Sequence, residues 1–135
     1  MIDVEIPQKD LALRISMYRE PDQASTISHS VELRFSTMSG APTDAVESVV
    51  GILMKVDERS RGLELVGQVV RIQAGVFLMG LSGIETDVRR NIALLRDRTW
   101  LDIPIIFKDR SRSILAIEKG KNGQIAVNAL LAPRG

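Results

Sequence analysis

The chain has 135 residues, with 18 basic and 17 acidic side chains, one histidine and no cysteine. This length fits a single domain, for which surface scaling predicts that about two-thirds of the unfolded chain's surface becomes buried. The absence of cysteine excludes disulfides, thiolate catalysis and cysteine-ligated zinc, and a single histidine excludes the metal motifs that need two, so neither a cofactor nor a metal is expected.

The first half of the chain has the alternation typical of β-strands. Residues 4–7 form a short extended segment, and residues 11–18 then alternate apolar and polar side chains, which predicts a half-buried strand. Residues 27–36 alternate in the same way and predict its antiparallel neighbour, with His29 on the inward face. Residues 49–56 are apolar enough for a strand or a short helix, and we favour a strand.

Residues 62–83 contain the densest apolar run of the chain and are expected to form its centre. Apolar residues alternate in the first half of this stretch, where Gly67 interrupts the phase as a bulge or close-approach glycine does. Ala74 and Gly75 supply a turn, and residues 76–81 are wholly apolar, as in a strand covered on both faces. The stretch therefore predicts a central hairpin, which could not be an exposed edge without becoming an aggregation site.

One helix is predicted after this hairpin. Ser82 and Glu85 have the spacing of a capping box, with Ser82 as the N-cap. Acidic residues in the first turn and Arg96 and Arg98 in the last turn complement the helix dipole, which supports a helix over residues 84–98. Its apolar stripe at helical spacing consists of Ile84, Val88, Ile92, Leu94 and Leu95.

Two more strands are predicted beyond the helix. Residues 103–107 form the first, and Pro104 places it at an edge or at a strand start because proline cannot donate to a ladder. Residues 108–112 predict a turn, and residues 114–118 predict the second strand.

The end of the chain predicts a break at residues 120–123 and a short closing helix at residues 124–131. Together the elements predict a mainly β fold of the α+β class. This fold is an antiparallel β-sandwich or strongly bent sheet of about seven strands, with one central helix and a short C-terminal helix. Residues 1–135 are expected to form a single globular domain.

Six blocks of the sequence are distinctive: VEIP at residues 4–7, SHSVELRF at 28–35, GILMK at 51–55, FLMGLS at 77–82, RNIALLRDRTWLDIPIIF at 90–107 and RSILAIEKG at 112–120. In these blocks the chain resembles an uncharacterised family of alphaproteobacterial membrane-anchored proteins. The resemblance implies a soluble C-terminal domain, outside the inner membrane and in the periplasm, and it implies no activity. The chain departs from the family pattern at Asp109 and Arg110, where an Asn-Gly-like pair is expected.

His29 and Ser82 are the residues to weigh as catalytic groups. A lone histidine has no paired nucleophile or second metal ligand, and so we expect a hydrogen-bonded structural role for His29. The run from Gly80 to Gly83 is similar to a nucleophile elbow, but the second glycine of that motif would fall at Ile84. Ser82 is better explained as a helix cap, and no enzymatic activity is expected.

Positive charge is concentrated in residues 89–121, which contain nine basic and four acidic side chains. If the predicted helix packs beside the hairpin that follows it, these charges form a basic face for anionic lipid or an acidic protein. The alternative is an ordinary solvated surface, and the scarcity of aromatic residues argues against nucleic acid as a partner. The candidate binding residues are Arg89, Arg96, Arg98, Lys108, Arg110 and Arg112.

Two functions are compatible with these features. The first is a non-catalytic interaction module of a membrane-anchored envelope protein, which binds an envelope protein or an anionic lipid surface through the basic face or a sheet edge. A homodimer through a sheet edge belongs to the same class. The alternative is a β-sandwich that binds a small ligand or lipid between the sheet and the helix. A well-filled core favours the first function, and an apolar cavity of a few hundred Å³ favours the second.

Overall fold

The computed structural model describes residues 1–22 and 25–131, and within them the chain is mainly β, as predicted. It has ten strands where about seven were predicted, because two predicted strands are each broken in two and the first extended segment is paired. The strands are β1 (Ile2–Ile6), β2 (Leu11–Arg19), β3 (Ile27–Ser36), β4 (Val46–Val49), β5 (Leu53–Lys55), β6 (Leu63–Glu64), β7 (Gly67–Gln73), β8 (Val76–Ser82), β9 (Trp100–Phe107) and β10 (Arg112–Glu118). The helices are α1 (Glu85–Asp97) and α2 (Gly120–Leu131).

The strands form two antiparallel sheets. The first sheet has the order β1-β2-β3-β8-β7, and the second sheet has the order β10-β9-β5-β6, with β4 also paired to β9. α1 connects β8 of the first sheet to β9 of the second. α2 follows β10 and packs against both α1 and β2.

Both sheets contribute to one hydrophobic core. Leu33 of the first sheet and Ile103 of the second are both fully buried, with an exposed fraction of 0%. Phe35 and Phe77 meet edge to face in this core, with their ring centroids 6.0 Å apart, which is a favoured arrangement for aromatic pairs. The shared core fits the predicted sandwich.

β4 and β5 act as one interrupted strand beside β9. β4 ends at Val49, β5 begins at Leu53, and both pair with β9. The prediction that Pro104 marks an edge or a strand start is therefore wrong, because β9 has β10 on its other side. The Pro104 carbonyl accepts the Val50 amide at 2.9 Å. The N and O atoms of one residue point to the same side of a strand, so the position where Pro104 lacks an N–H faces the gap between β4 and β5. No ladder hydrogen bond from Pro104 is needed there.

Only one strand of the predicted central hairpin lies inside a sheet. β8 lies between β3 and β7, but β7 is the edge of the first sheet. Val70 and Ile72 of β7 are 56% and 57% exposed, so the prediction of a central position is wrong for this strand. The reason is that β6 ends at Glu64 and belongs to the second sheet. β7 therefore pairs with β8 on one side and has no neighbouring strand on the other among the described residues. A register shift between Arg71 and Gln73 interrupts the ladder, as bulges often do at exposed edges.

Two glycines of this hairpin have the predicted roles. A Cβ atom at Gly67 would lie 2.4 Å from the carbonyl oxygen of Gly80 in β8, so a side chain there would push the edge strand away. Gly75 has a φ of 78°, in the region that favours glycine, and supplies the turn.

α1 confirms the predicted helix but not its cap. The N-cap position is Ile84, which has no side-chain oxygen and is 66% exposed. The Ser82 hydroxyl instead donates to Oδ2 of Asp87 at 2.7 Å and accepts the Ile84 amide at 3.2 Å. Ser82 therefore stabilises the first turn from two positions before the N-cap, not as the N-cap itself. The buried face of α1 consists of Asn91, Leu94 and Leu95.

The turn between β9 and β10 is confirmed although it lacks an Asn-Gly pair. Arg110 has a φ of 71°, which a side chain adopts only when other contacts hold it there. The Asp109 carboxylate accepts the Ser111 amide at 2.8 Å and the Ser111 hydroxyl at 2.5 Å. These hydrogen bonds close the turn, and they lower the pKa of Asp109 below its ordinary value.

The C-terminal helix begins earlier than predicted. The segment from Gly120 to Gly123, expected as a break, forms the first turn of α2. Glycine lowers the intrinsic stability of a helix, and here the packing of α2 against β2 and α1 outweighs that preference.

Candidate functional site

The six candidate basic residues lie at two separate ends of β9. The helix group is Arg89, Arg96 and Arg98, and the turn group is Lys108, Arg110 and Arg112. The helix group precedes the start of β9, whereas Lys108 and Arg110 follow its end. β9 has eight residues and hence a length of about 26 Å. The structure therefore does not bring the two groups onto one continuous face.

Three of these side chains also have acidic partners. The ion pairs are Arg89–Glu85 at 3.3 Å, Arg96–Asp97 at 3.1 Å and Lys108–Asp44 at 2.5 Å. The hydrogen bond from Lys108 lowers the pKa of the Asp44 carboxyl below its ordinary value. Much of the positive charge in this part of the chain is thus already balanced on the surface.

His29 is buried on the inward side of β3, with 8% of its surface exposed. Its Nδ1 lies 3.2 Å from the Ser28 hydroxyl, and its Nε2 lies 3.3 Å from the carbonyl oxygen of Leu130. The Arg19 guanidinium donates to the same oxygen at 2.6 Å. These contacts attach the end of α2 to the first sheet. Among the described residues, no three His, Asp or Glu side chains are grouped so that they could hold a metal ion.

A cavity of about 310 Å³ lies between the sheets, beside α2. β1 pairs with β2 only as far as Ile15, opposite Ile2. Within the described residues no strand covers the rest of β2 on that side, and α2 packs there instead. The cavity walls are mainly apolar side chains from both sheets and both helices: Ile2, Ile15, Met17, Val31, Ile52, Met54, Leu65, Leu95, Leu101, Val127 and Leu130.

The cavity extends from an exposed rim to a buried floor. Met1 and Tyr18 at the rim are 61% and 51% exposed, whereas Ile52 and Met54 at the floor are 1% and 0% exposed. A surface depression over β1 and β2 is larger, about 410 Å³, but exposed charged residues line it, among them Arg14. The smaller cavity is the better candidate site because it reaches the core and its walls are apolar.

Lys119 alone is charged among the described residues that line the cavity. It stands between β10 and α2, where its amide donates to the Thr99 carbonyl at 2.8 Å. The residue is only 4% exposed, and its Nζ donates to the Leu95 carbonyl at 2.7 Å and to the Arg96 carbonyl at 3.4 Å. Burial lowers the pKa of Lys119, and the Asp97 carboxylate opposes that shift.

Gly123 of α2 makes room for this lysine. A Cβ atom at Gly123 would lie 2.9 Å from Cγ of Lys119 and 3.2 Å from Cδ1 of Ile2. These contacts are closer than side chains tolerate without moving. The glycine that predicted a break in the chain therefore lets α2 approach the cavity wall.

Lys119 is not among the residues predicted as candidates, because in the sequence it stands out only as one of the basic residues in the run 89–121. A local signal was available, since Lys119 directly follows an alternating strand and is followed by Gly120 and, three residues later, by Gly123. That pattern is typical of a close packing site, but it does not reveal which side chains the lysine meets.

No family model matches this chain, and neither the curated proteins nor the solved structures contain a match to it. In the ranges 1–22 and 25–131, no helix combines the length and apolarity that crossing a bilayer requires. A role for the cavity therefore has to be inferred from its own geometry and chemistry.

Proposed function

We propose that this domain binds a small, mainly apolar ligand in the cavity between its two sheets, without catalysing a reaction. The cavity is the observation that carries the proposal. Its volume of about 310 Å³ is at the lower end of the range for ligand sites. Because a cavity of about 150 Å³ holds benzene, this one accommodates roughly a dozen non-hydrogen atoms.

The apolar walls of the cavity support the same proposal. Removing apolar surface from water is favourable by about 25 cal/mol for each Å². A ligand with apolar surface covers the walls down to the buried floor, where Ile52 and Met54 lie. Binding is thus favoured by the apolar surface that the ligand and the cavity remove from water.

Replacing Val31 with phenylalanine is expected to stabilise the unliganded domain and to abolish ligand binding. Val31 is 4% exposed and lines the cavity from β3, so the added ring occupies the ligand's volume. Filling a cavity typically adds about 0.5–2 kcal/mol. Decanol is the neutral probe, and at a hundredfold excess over its Kd it should stabilise the unmodified domain by about 2.7 kcal/mol in thermal unfolding. The Val31→Phe variant should show no such shift.

Val49→Phe is the matched control. Val49 is 5% exposed in β4 and does not belong to the cavity wall described above. Overpacking at such a site is expected to destabilise the domain by about 1–3 kcal/mol, while the response to decanol is retained. An unmodified domain that does not respond to decanol at all would contradict the proposed function.

Protein recognition through the edge of β7 is the second candidate, because Val70 and Ile72 are exposed on an edge strand. We propose that a second copy of the domain pairs with this edge. The family resemblance supports a periplasmic, membrane-anchored location for either function.

Val70→Lys is expected to weaken this pairing, since charged side chains block edge-to-edge association. Val50→Lys is the control, because Val50 is 60% exposed but does not lie in β7. The measurement is sedimentation equilibrium over a range of concentrations. If the unmodified domain is monomeric at every concentration, the edge-pairing candidate is wrong.

A further inference from the structure

Among the described residues, no carboxylate lies within ion-pair distance of the buried ammonium of Lys119, and Asp97 acts on it only from further away. None of the ion pairs within the described residues includes Lys119. Its two acceptors, the carbonyl oxygens of Leu95 and Arg96, are uncharged, although they lie at the C-terminal end of α1, where the helix dipole favours a cation. An ammonium has three protons, and these carbonyls accept two of them.

The position of this charge is unusual for an apolar wall. Burying a cation is unfavourable unless it is paired, and an uncharged side chain at this position would have left no charged side chain among the described residues of the wall. A ligand that brings a single negative group to Lys119 and aliphatic surface to Ile52 and Met54 matches both parts of the wall.

We propose that the ligand is an aliphatic monocarboxylate whose carboxylate pairs with Lys119 and whose chain fills the apolar cavity. This inference rests on the proposed ligand-binding function. The volume of about 310 Å³ sets the size at roughly a dozen non-hydrogen atoms, which is the size of decanoate. The carboxylate supplies Lys119 with a counter-ion at ion-pair distance, and the chain covers the apolar walls.

Decanoate and decanol form the test pair, because they share the same chain and differ in charge. At concentrations where both are monomeric, the unmodified domain should bind decanoate roughly ten- to a hundredfold more tightly than decanol, as a charge-assisted hydrogen bond predicts. Decanoate, but not decanol, should also shift the Cε resonance of Lys119. This second measurement needs no variant.

Lys119→Gln should lower the affinity for decanoate far more than the affinity for decanol, and so remove the preference for decanoate. Lys121→Gln is the control, since Lys121 is an exposed lysine in the first turn of α2, two residues after Lys119, and its replacement removes the same charge. Equal affinity of the unmodified domain for both probes would overturn the carboxylate inference and leave the proposed function standing. Binding of neither probe would overturn both, and a loss of preference in Lys121→Gln would show that overall charge, not Lys119, selects the ligand.

Discussion

Replacing Lys55 with methionine is expected to destabilise the domain by about 3–5 kcal/mol. The Lys55 side chain is 4% exposed, and its Nζ lies 2.6 Å from Oδ1 of Asp102, whose side chain is 19% exposed. Methionine keeps the aliphatic volume but leaves the Asp102 carboxylate without its cation. It also removes the donor to the Glu58 carbonyl oxygen, which Nζ reaches at 2.6 Å. Urea unfolding measures the loss.

Charge, more than hydrogen-bond geometry, holds this pair together. Within the part of the chain that the structure describes, no donor is aligned with Oδ1 of Asp102 as a hydrogen bond requires, although the Lys55 ammonium lies close to it. Exchanging a buried ion pair for apolar side chains is often neutral. Lys55→Met combined with Asp102→Leu should therefore recover most of the stability that the single variant loses.

Lys108→Met is the matched control for this prediction. Lys108 also pairs with an aspartate, Asp44, but the two side chains are 50% and 59% exposed. Because exposed ion pairs contribute little to stability, this variant should unfold at nearly the same urea concentration as the unmodified domain. Equal losses in the buried and exposed variants, or a double variant as unstable as Lys55→Met alone, would contradict the explanation by an unpaired buried charge.

Replacing Asn91 with leucine is expected to destabilise the domain by about 1–3 kcal/mol, because the Val66 amide loses its partner and the Val66 carbonyl keeps the Ser82 amide alone, at 2.9 Å. Asn91 is 2% exposed. Its Oδ1 accepts the Val66 amide at 2.8 Å, and its Nδ2 donates to the Val66 carbonyl at 3.0 Å. Leucine has nearly the same shape and a better helix propensity, so a loss of stability reports on the hydrogen bonds. The Val66 amide should also exchange its hydrogen faster.

Asn128→Leu is the control for Asn91, since Asn128 is an exposed asparagine on α2. It accepts a hydrogen bond from Gln124 at 2.8 Å, one turn away, and pairs of this kind contribute only about 0.2–0.5 kcal/mol. A similar small loss in Asn91→Leu, with unchanged exchange at Val66, would show that the two hydrogen bonds do not hold α1 to the segment between β6 and β7.

The strands and α1 were predictable because their signals are local. Alternation along residues 11–17 and 27–35 corresponds directly to burial: Leu11 and Leu13 are each 1% exposed, and Leu33 is 0% exposed. The span of α1 followed from periodicity and from the charges at its ends. A strand or helix of this kind is determined by side chains a few residues apart, which the sequence shows.

The order of strands in a sheet was not predictable, because it depends on partners that are distant in sequence. An apolar stretch such as residues 67–73 predicts a strand, but it does not indicate whether one neighbour or two will pair with it. The same limit applies to the basic residues. Arg98 and Lys108 are close in sequence, yet the extended strand between them keeps their groups apart.

The cavity and the polar residues that hold α1 were not identified from the sequence. Asn91 had a signal, since it lies three residues after Val88 and four before Leu95 and so interrupts an apolar stripe. A polar residue at such a position predicts a buried hydrogen bond. Its partner, Val66, is 25 residues away, and no local pattern connects the two.

The strand order of the first sheet also determines how the chain can fold. β1, β2 and β3 are consecutive neighbours, so their pairing needs only short connections. β3 then pairs with β8, and this step closes a loop of residues 37–75 that contains all of β4, β5 and β6. Closing a long loop is slow because its entropy is lost before its contacts form. Until β8 arrives, the alternating apolar face of β3, with Val31, Leu33 and Phe35, is an open template for another chain. During synthesis the risk of misassembly is therefore greatest after β3 has emerged and before β8 has.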